Sequence, residues 1–207
     1  MGVKVIKRPP DYAKRIGVGL APTMKKAAMY LQSSALGKIN SGIKPANAPL
    51  TQEVKQGSQT LRDNGDLMRS IAPHSGDLWA DASTNLKYAR IQQEGGTITP
   101  KSAKALFIPA SAKTRTLMRS YGAHTPRSLI KAMTADSYGF FSVGKAYFTY
   151  KKSTGKSGKK GKEFILFIIS RSVKIPARPF LYISEKDNQY LMKLIQEGVS
   201  NSLKGKN

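Results

Sequence analysis

The chain reads as an α+β protein: a small, mostly antiparallel sheet packed by an N-terminal and a C-terminal helix, with a long basic β-hairpin inserted. Three observations predict this. Met24, Ala27, Ala28, Leu31 and Ala35 repeat at helical spacing. An aromatic alternation over 138–150 and a continuous apolar run from Phe164 to Ile169 flank a glycine/lysine tract, as two strands flank a hairpin tip. Leu191, Leu194, Ile195, Val199 and Leu203 then mark an amphipathic final helix that opens on Ser184 and Asp187, a capping-box pattern.

The elements follow in order. Residues 1–20 mix Lys4, Lys7, Arg8, Lys14 and Arg15 with Pro9-Pro10 and lack an apolar period, which predicts a flexible basic arm. From 21 to 207 the chain reads as a single domain. Thr23 is the expected cap of a helix over about 24–36, with Gly37 as its stop. Residues 40–50 form a loop, and Thr51 starts a short turn of helix at most. Asn64-Gly65 marks a turn before a short helix that buries Leu67, Met68 and Ile71. Leu78–Ala82 alternates like a strand and holds Trp79, the single tryptophan. Asn85 is the expected cap of a helix with Leu86, Ala89 and Gln93 on one side, ended by Gly95-Gly96. Leu106–Pro109 reads as a strand, Ser111 opens a basic helix through Lys113, Arg115 and Arg119, and Pro126 opens another carrying Leu129, Ile130 and Met133.

Composition narrows the function. The 207 residues hold no cysteine, which leaves neither a disulfide framework nor thiolate chemistry. No run of eighteen apolar residues and no signal-peptide core are present, so neither a membrane nor classical secretion is expected. Lysine and arginine number 35 against 12 acids, a net charge of +23. Between Thr99 and Arg178 stand 17 of these cations and two acids, Asp136 and Glu163. Charge of that density favours an anionic partner: nucleic acid, an acidic protein surface or lipid headgroups.

Nothing assembles a catalytic site. His74 and His124 are the only histidines and lack flanking carboxylates, which excludes a metal or triad pattern. Asp63 and Asp66 read as turn and cap residues, and Ser70 and Ser111 have no base partner. Gly155-Lys156-Ser157 resembles a phosphate-loop fragment without its preceding glycine or its strand-loop-helix context. No enzyme and no cofactor are expected. The tract itself, with Lys151, Lys152, Lys156, Lys159, Lys160 and Lys162, suits either a solvated loop or a cationic finger facing DNA or an acidic partner. The hairpin aromatics read more simply as core than as base-stacking rings.

Residues 175–181, Ile-Pro-Ala-Arg-Pro-Phe-Leu, carry the most information. Pro176 and Pro179 fix φ, remove two donors and push their predecessors to extended conformations, so the chain leaves the sheet as a stiff connector. Before it come Gly65, Leu67, Ser70 and Ile71; then Tyr88, Ala89, Ile91, Gln93 and Gly95; then Ile108 and Pro109. This order resembles the phage virion morphogenesis, or tail completion, family of tailed bacteriophages, its Mu-like members in particular. The likeness runs from about Met24 to about Leu203. It departs where the family's usual histidine is Gln92, and where a Trp-x-x-Leu element is reduced to Ala48-Pro49-Leu50. The resemblance implies a head-tail joining protein of the virion neck, made in the host cytoplasm and assembled as a ring, hexameric by the tail's symmetry. Connector and tail-tube proteins would be its neighbours and packaged double-stranded DNA would pass its lumen. Arg178, held by Pro176 and Pro179 beside Phe180, is the expected subunit-interface group, since a pre-ordered guanidinium loses little entropy on binding a carboxylate. The alternative is a free, non-specific nucleic-acid-binding protein or a non-virion assembly factor.

Overall fold

A computed structural model describes residues 11–55, 57–152 and 161–204, with side chains from residue 19 onward. The chain is α+β, and every strand pair among the described residues is antiparallel. The described residues gather into two compact units. One holds residues 64–94 with the flanking N- and C-terminal parts; the other holds 45–63 and 95–177.

In the first unit, helix α1 runs from Asp11 to Ser41. It is longer than the 24–36 expected, and it takes in residues 11–20, which composition reads as part of an arm. Residues 1–10 lie outside the described residues. Thr23 is therefore inside the helix instead of capping it, and Pro22 is tolerated there with its ring exposed. An interior proline costs about 3 kcal/mol. Burial of Leu20, Met24, Ala27, Ala28, Ala35 and Ile39 along one stripe offsets that cost. Gly37 lies within the helix; the stop is Gly42, whose φ of 83° is the left-handed geometry that glycine supplies.

Helix α1 packs against a β-hairpin and against the last helix. The hairpin pairs β1, Ala72–Ser75, with β2, Ala80–Ser83. Leu78 and Trp79, expected inside a strand, sit instead in the loop between them and are 63% and 55% exposed. A short helix α2, Asp66–Ser70, precedes the hairpin and buries Leu67, while α3, Ala89–Glu94, follows it. The last helix, α4, spans Glu185–Leu203 and opens on the expected capping box of Ser184 and Asp187. It lies antiparallel to α1 at two close approaches. A Cβ on Gly198 would come within 2.3 Å of Thr23 Oγ1, and one on Gly19 within 2.1 Å of Ser202 Oγ. Leu191 is buried on this helix, whereas Leu203 is 73% exposed.

The second unit is built on a four-stranded sheet in the order β4-β7-β6-β5. Its strands are β4, Leu106–Pro109; β5, Tyr138–Val143; β6, Ala146–Lys151; and β7, Phe164–Ser170. Residues 138–151 are thus a tight hairpin of their own, where a single strand was expected. Gly144 turns the chain with φ of 55°, the positive value that a two-residue hairpin needs at its first central position. Strands β6 and β7 form the basic hairpin, and residues 153–160 of its tip lie outside the described residues.

Helix α5, Pro49–Lys55, precedes this sheet in the chain, and α6, Ala112–Ser120, and α7, Pro126–Ala135, follow β4. Both later helices start where the sequence predicts. Ser111 Oγ accepts from Thr114 N, and Thr125 closes a capping box with Ser128. Ala123, Leu129 and Met133 form a buried core with Leu166 and Phe167. The burial of two successive residues follows from an irregularity in the β6–β7 register. Tyr147 pairs with Phe167 and Phe148 with Ile165, leaving Leu166 as an extra residue. Its carbonyl accepts from Ala110 N at 3.1 Å and from Thr114 Oγ1 at 2.9 Å. A separate two-stranded ladder pairs β3, Gly96–Ile98, with β8, Val173–Ile175.

Candidate functional site

The 175–181 connector begins as β8 ends. Pro176 stops the ladder, as its missing N–H requires. Beyond it, the extended backbone alternates: Ala177 and Pro179 are exposed, Arg178 and Phe180 buried. Helix α3 selects which face turns inward. Arg178 N donates to Gln92 O at 2.7 Å. The Gln93 carboxamide does more: Oε1 accepts from Phe180 N at 2.9 Å and Leu181 N at 3.0 Å, while Nε2 donates to Leu181 O at 2.9 Å. One side chain thus satisfies three backbone groups of a segment that prolines have taken out of any ladder.

Glycine is required beside this clasp. Gly95 has φ of 73°, and a Cβ there would lie 2.6 Å from Ala177 N. In the first motif, Gly65 precedes α2 with φ of 82°. Ser70 Oγ donates to Leu67 O and shares a 2.6 Å contact with Thr84 Oγ1, and Ile71 O accepts from Gln32 Nε2 of α1. Tyr88 is exposed and Ala89 buried, while Ile108 and Pro109 stand in β4.

The residues expected at a subunit interface differ in burial. Arg178 is 7% exposed and Phe180 is fully buried, so both face the interior of their own chain. Desolvation pulls the Arg178 guanidinium below its ordinary value. Pro176 is half-buried. The outward part is Pro179 together with Tyr182 and Ile183, which are 52% and 59% exposed.

A polar network anchors the far end of the connector. Asp187 is buried on α4 and receives Tyr30 Oη at 3.1 Å, Ser34 Oγ at 2.7 Å and Lys38 Nζ at 2.9 Å, three α1 residues spaced four apart. Ser184 N and Oγ add bonds of 2.9 and 2.6 Å. Burial pushes this carboxyl up, but the bonds from Ser184, Lys38 and Ser34 outweigh it and hold the group well below the usual carboxylate range. Lys38 Nζ also donates to Tyr182 O at 2.5 Å and lies 4.0 Å from the centre of the Tyr182 ring. Sequence reading assigns Asp187 a cap alone; the i, i+4, i+8 spacing of Tyr30, Ser34 and Lys38 was the available signal for the rest.

Among the candidate lysines, Lys151, Lys152 and Lys162 are exposed, with Lys151 Nζ 5.9 Å from the Tyr138 ring centre. Lys156, Lys159 and Lys160 lie outside the described residues. The expected basic helix keeps Lys113 and Arg119 exposed, but Arg115 makes a two-pronged bond to Asp63 at 3.0 and 2.7 Å. Asp63 is therefore an ion-pair partner and not a cap. Among the described residues no group of His, Cys, Asp or Glu is arranged to hold a metal, and no helix is long and apolar enough to cross a membrane. The chain matches no protein-family model, no curated protein and no solved structure.

Proposed function

We propose that this chain is a structural virion protein of a tailed bacteriophage, a tail completion or head-tail joining protein that assembles as a ring, hexameric by the tail's symmetry, at the head-proximal end of the tail. The observation that supports it is the Gln93 clasp. Two sequence elements that carry the resemblance, 88–95 and 175–181, are bonded to one another through Gln93, Phe180 and Leu181. Pieces of one inherited motif set are expected to meet in this way.

In this reading the protein works by binding and symmetry matching, with no bond-making step. Buried Arg178 and Phe180 shape the connector, and Pro179, Tyr182 and Ile183 present the surface for the neighbouring subunit. The hairpin lysines face the lumen, where packaged DNA supplies the counter-charge that an outward face lacks. Cryo-electron microscopy of the virion neck, with the chain located in the map, tests this directly. A ring at the head-tail interface is expected; absence from the particle would leave a free nucleic-acid-binding protein or an assembly factor. Charge reversal at Lys159, Lys160 and Lys162 is expected to impair DNA retention or ejection while rings still form, and unchanged infectivity would refute the lumenal placement.

A further inference from the structure

The two faces of the four-stranded sheet carry different aromatic rows. Tyr138, Phe140 and Tyr147 pack on the core under α6 and α7. The pairings Phe141↔Phe148 and Gly139↔Tyr150 put Phe141, Phe148 and Tyr150 on the opposite face. There the Phe141 and Phe148 rings stack with centres 5.0 Å apart, and Tyr150 lies 6.1 Å from Phe141. A Cβ on Gly139 would fall 2.4 Å from Tyr150 Cζ, so the tyrosine ring lies over bare backbone. The three rings are half-buried, and on the same face Ile165 is 37% and Val143 61% exposed.

Charge states what class of partner such a face fits. Between 145 and 174 the described residues include the exposed cations Lys145, Lys151, Lys152, Lys162, Arg171 and Lys174, with Glu163 as their one acid. Lys145 stands in the turn before β6 and Lys152 just past its end, so cations bracket the strand that carries Phe148 and Tyr150. A second copy of the chain laid on this face would bring like charges together. A duplex offers phosphates but keeps its bases away from the rings.

We propose that this face binds single-stranded nucleic acid, with Tyr150, Phe148 and Phe141 stacking unpaired bases and Lys145 and Lys152, at the two ends of β6, meeting the phosphates. This is a property of the chain by itself and does not rest on the ring reading. The experiment is fluorescence anisotropy of the full chain with a labelled oligothymidylate and, separately, with a duplex of equal length, over a series of salt concentrations. The single strand is expected to bind more tightly than the duplex at equal salt. Tyr150→Leu and Phe148→Leu, which keep apolar bulk, are each expected to weaken it about tenfold without changing the salt slope, and Tyr150→Phe to bind as the parent does. Lys145→Glu with Lys152→Glu is expected to flatten the slope. Circular dichroism checks that each variant is folded. Equal affinity for duplex, no binding at low salt, or leucine variants that bind like the parent overturns the proposal. So does displacement by polyglutamate with no effect of the leucine substitutions, which would assign the face to an acidic protein segment.

Discussion

Asp187 is charged, buried and surrounded by donors, so its removal strands several of them at once. Asp187→Ala is expected to destabilise the chain by about 3 kcal/mol, the cost of breaking a buried ion pair, read from urea unfolding at neutral pH. The sign with pH follows from its lowered folded-state value. Its contribution is fully present above the unfolded carboxylate value of about 3.9 and is lost as pH falls below that. The gap in stability between the parent and Asp187→Asn should therefore narrow on acidification; a constant gap down to pH 3 would contradict the assignment. Gln93 offers a second test. Gln93→Ala leaves Phe180 N, Leu181 N and Leu181 O without their partner, at about 1–3 kcal/mol for each buried group. Hydrogen exchange at Phe180 and Leu181 should accelerate, and unaltered exchange at both would show that the clasp does not hold the connector.

Between elements, the closest fit is the α1–α4 crossing, where glycine on one helix meets a hydroxyl residue on the other. Gly198→Ala should cost about 1–3 kcal/mol by overpacking, and Thr23→Ala in the same chain should recover part of it, because Oγ1 and Cγ2 are the nearest obstacles. Thermal melts of the single and double variants decide this; an additive loss would place the clash elsewhere. Elements with a local signal were legible in the sequence: Ser111 and Pro126 at helix starts, Leu106–Pro109 as a strand, Ser184 with Asp187 as a capping box. Those decided by tertiary contact were not. Thr23 and Gly37 looked like helix limits, yet the packing of α1 on α4 and the β1–β2 hairpin overrides both. The turn at Gly144 was hidden because aromatic alternation continues through it on either side. Arg178 and Phe180 could be placed on one face by the extended period of two, but only Gln93 decides that this face turns inward.

Across the whole molecule, charge and chain path dominate. With +23 spread over 207 residues, self-repulsion is strong, and unfolding midpoints should rise with salt as the exposed cations are screened. A midpoint that falls over the same range would mean that specific ion pairs such as Arg115 with Asp63 outweigh the net field. The Tyr30–Asp187 bond spans 157 positions of sequence, and the second unit ends at residue 177, before α4 begins. On the ribosome, the apolar stripe of α1 is therefore made early and must wait for its partner, while the nested 95–177 stretch emerges complete. Synthesis order makes α4 the closing step, and until it arrives the nascent chain has the β1–β2 hairpin against α1 but leaves the α4-facing part of the stripe uncovered, where a holding chaperone can bind.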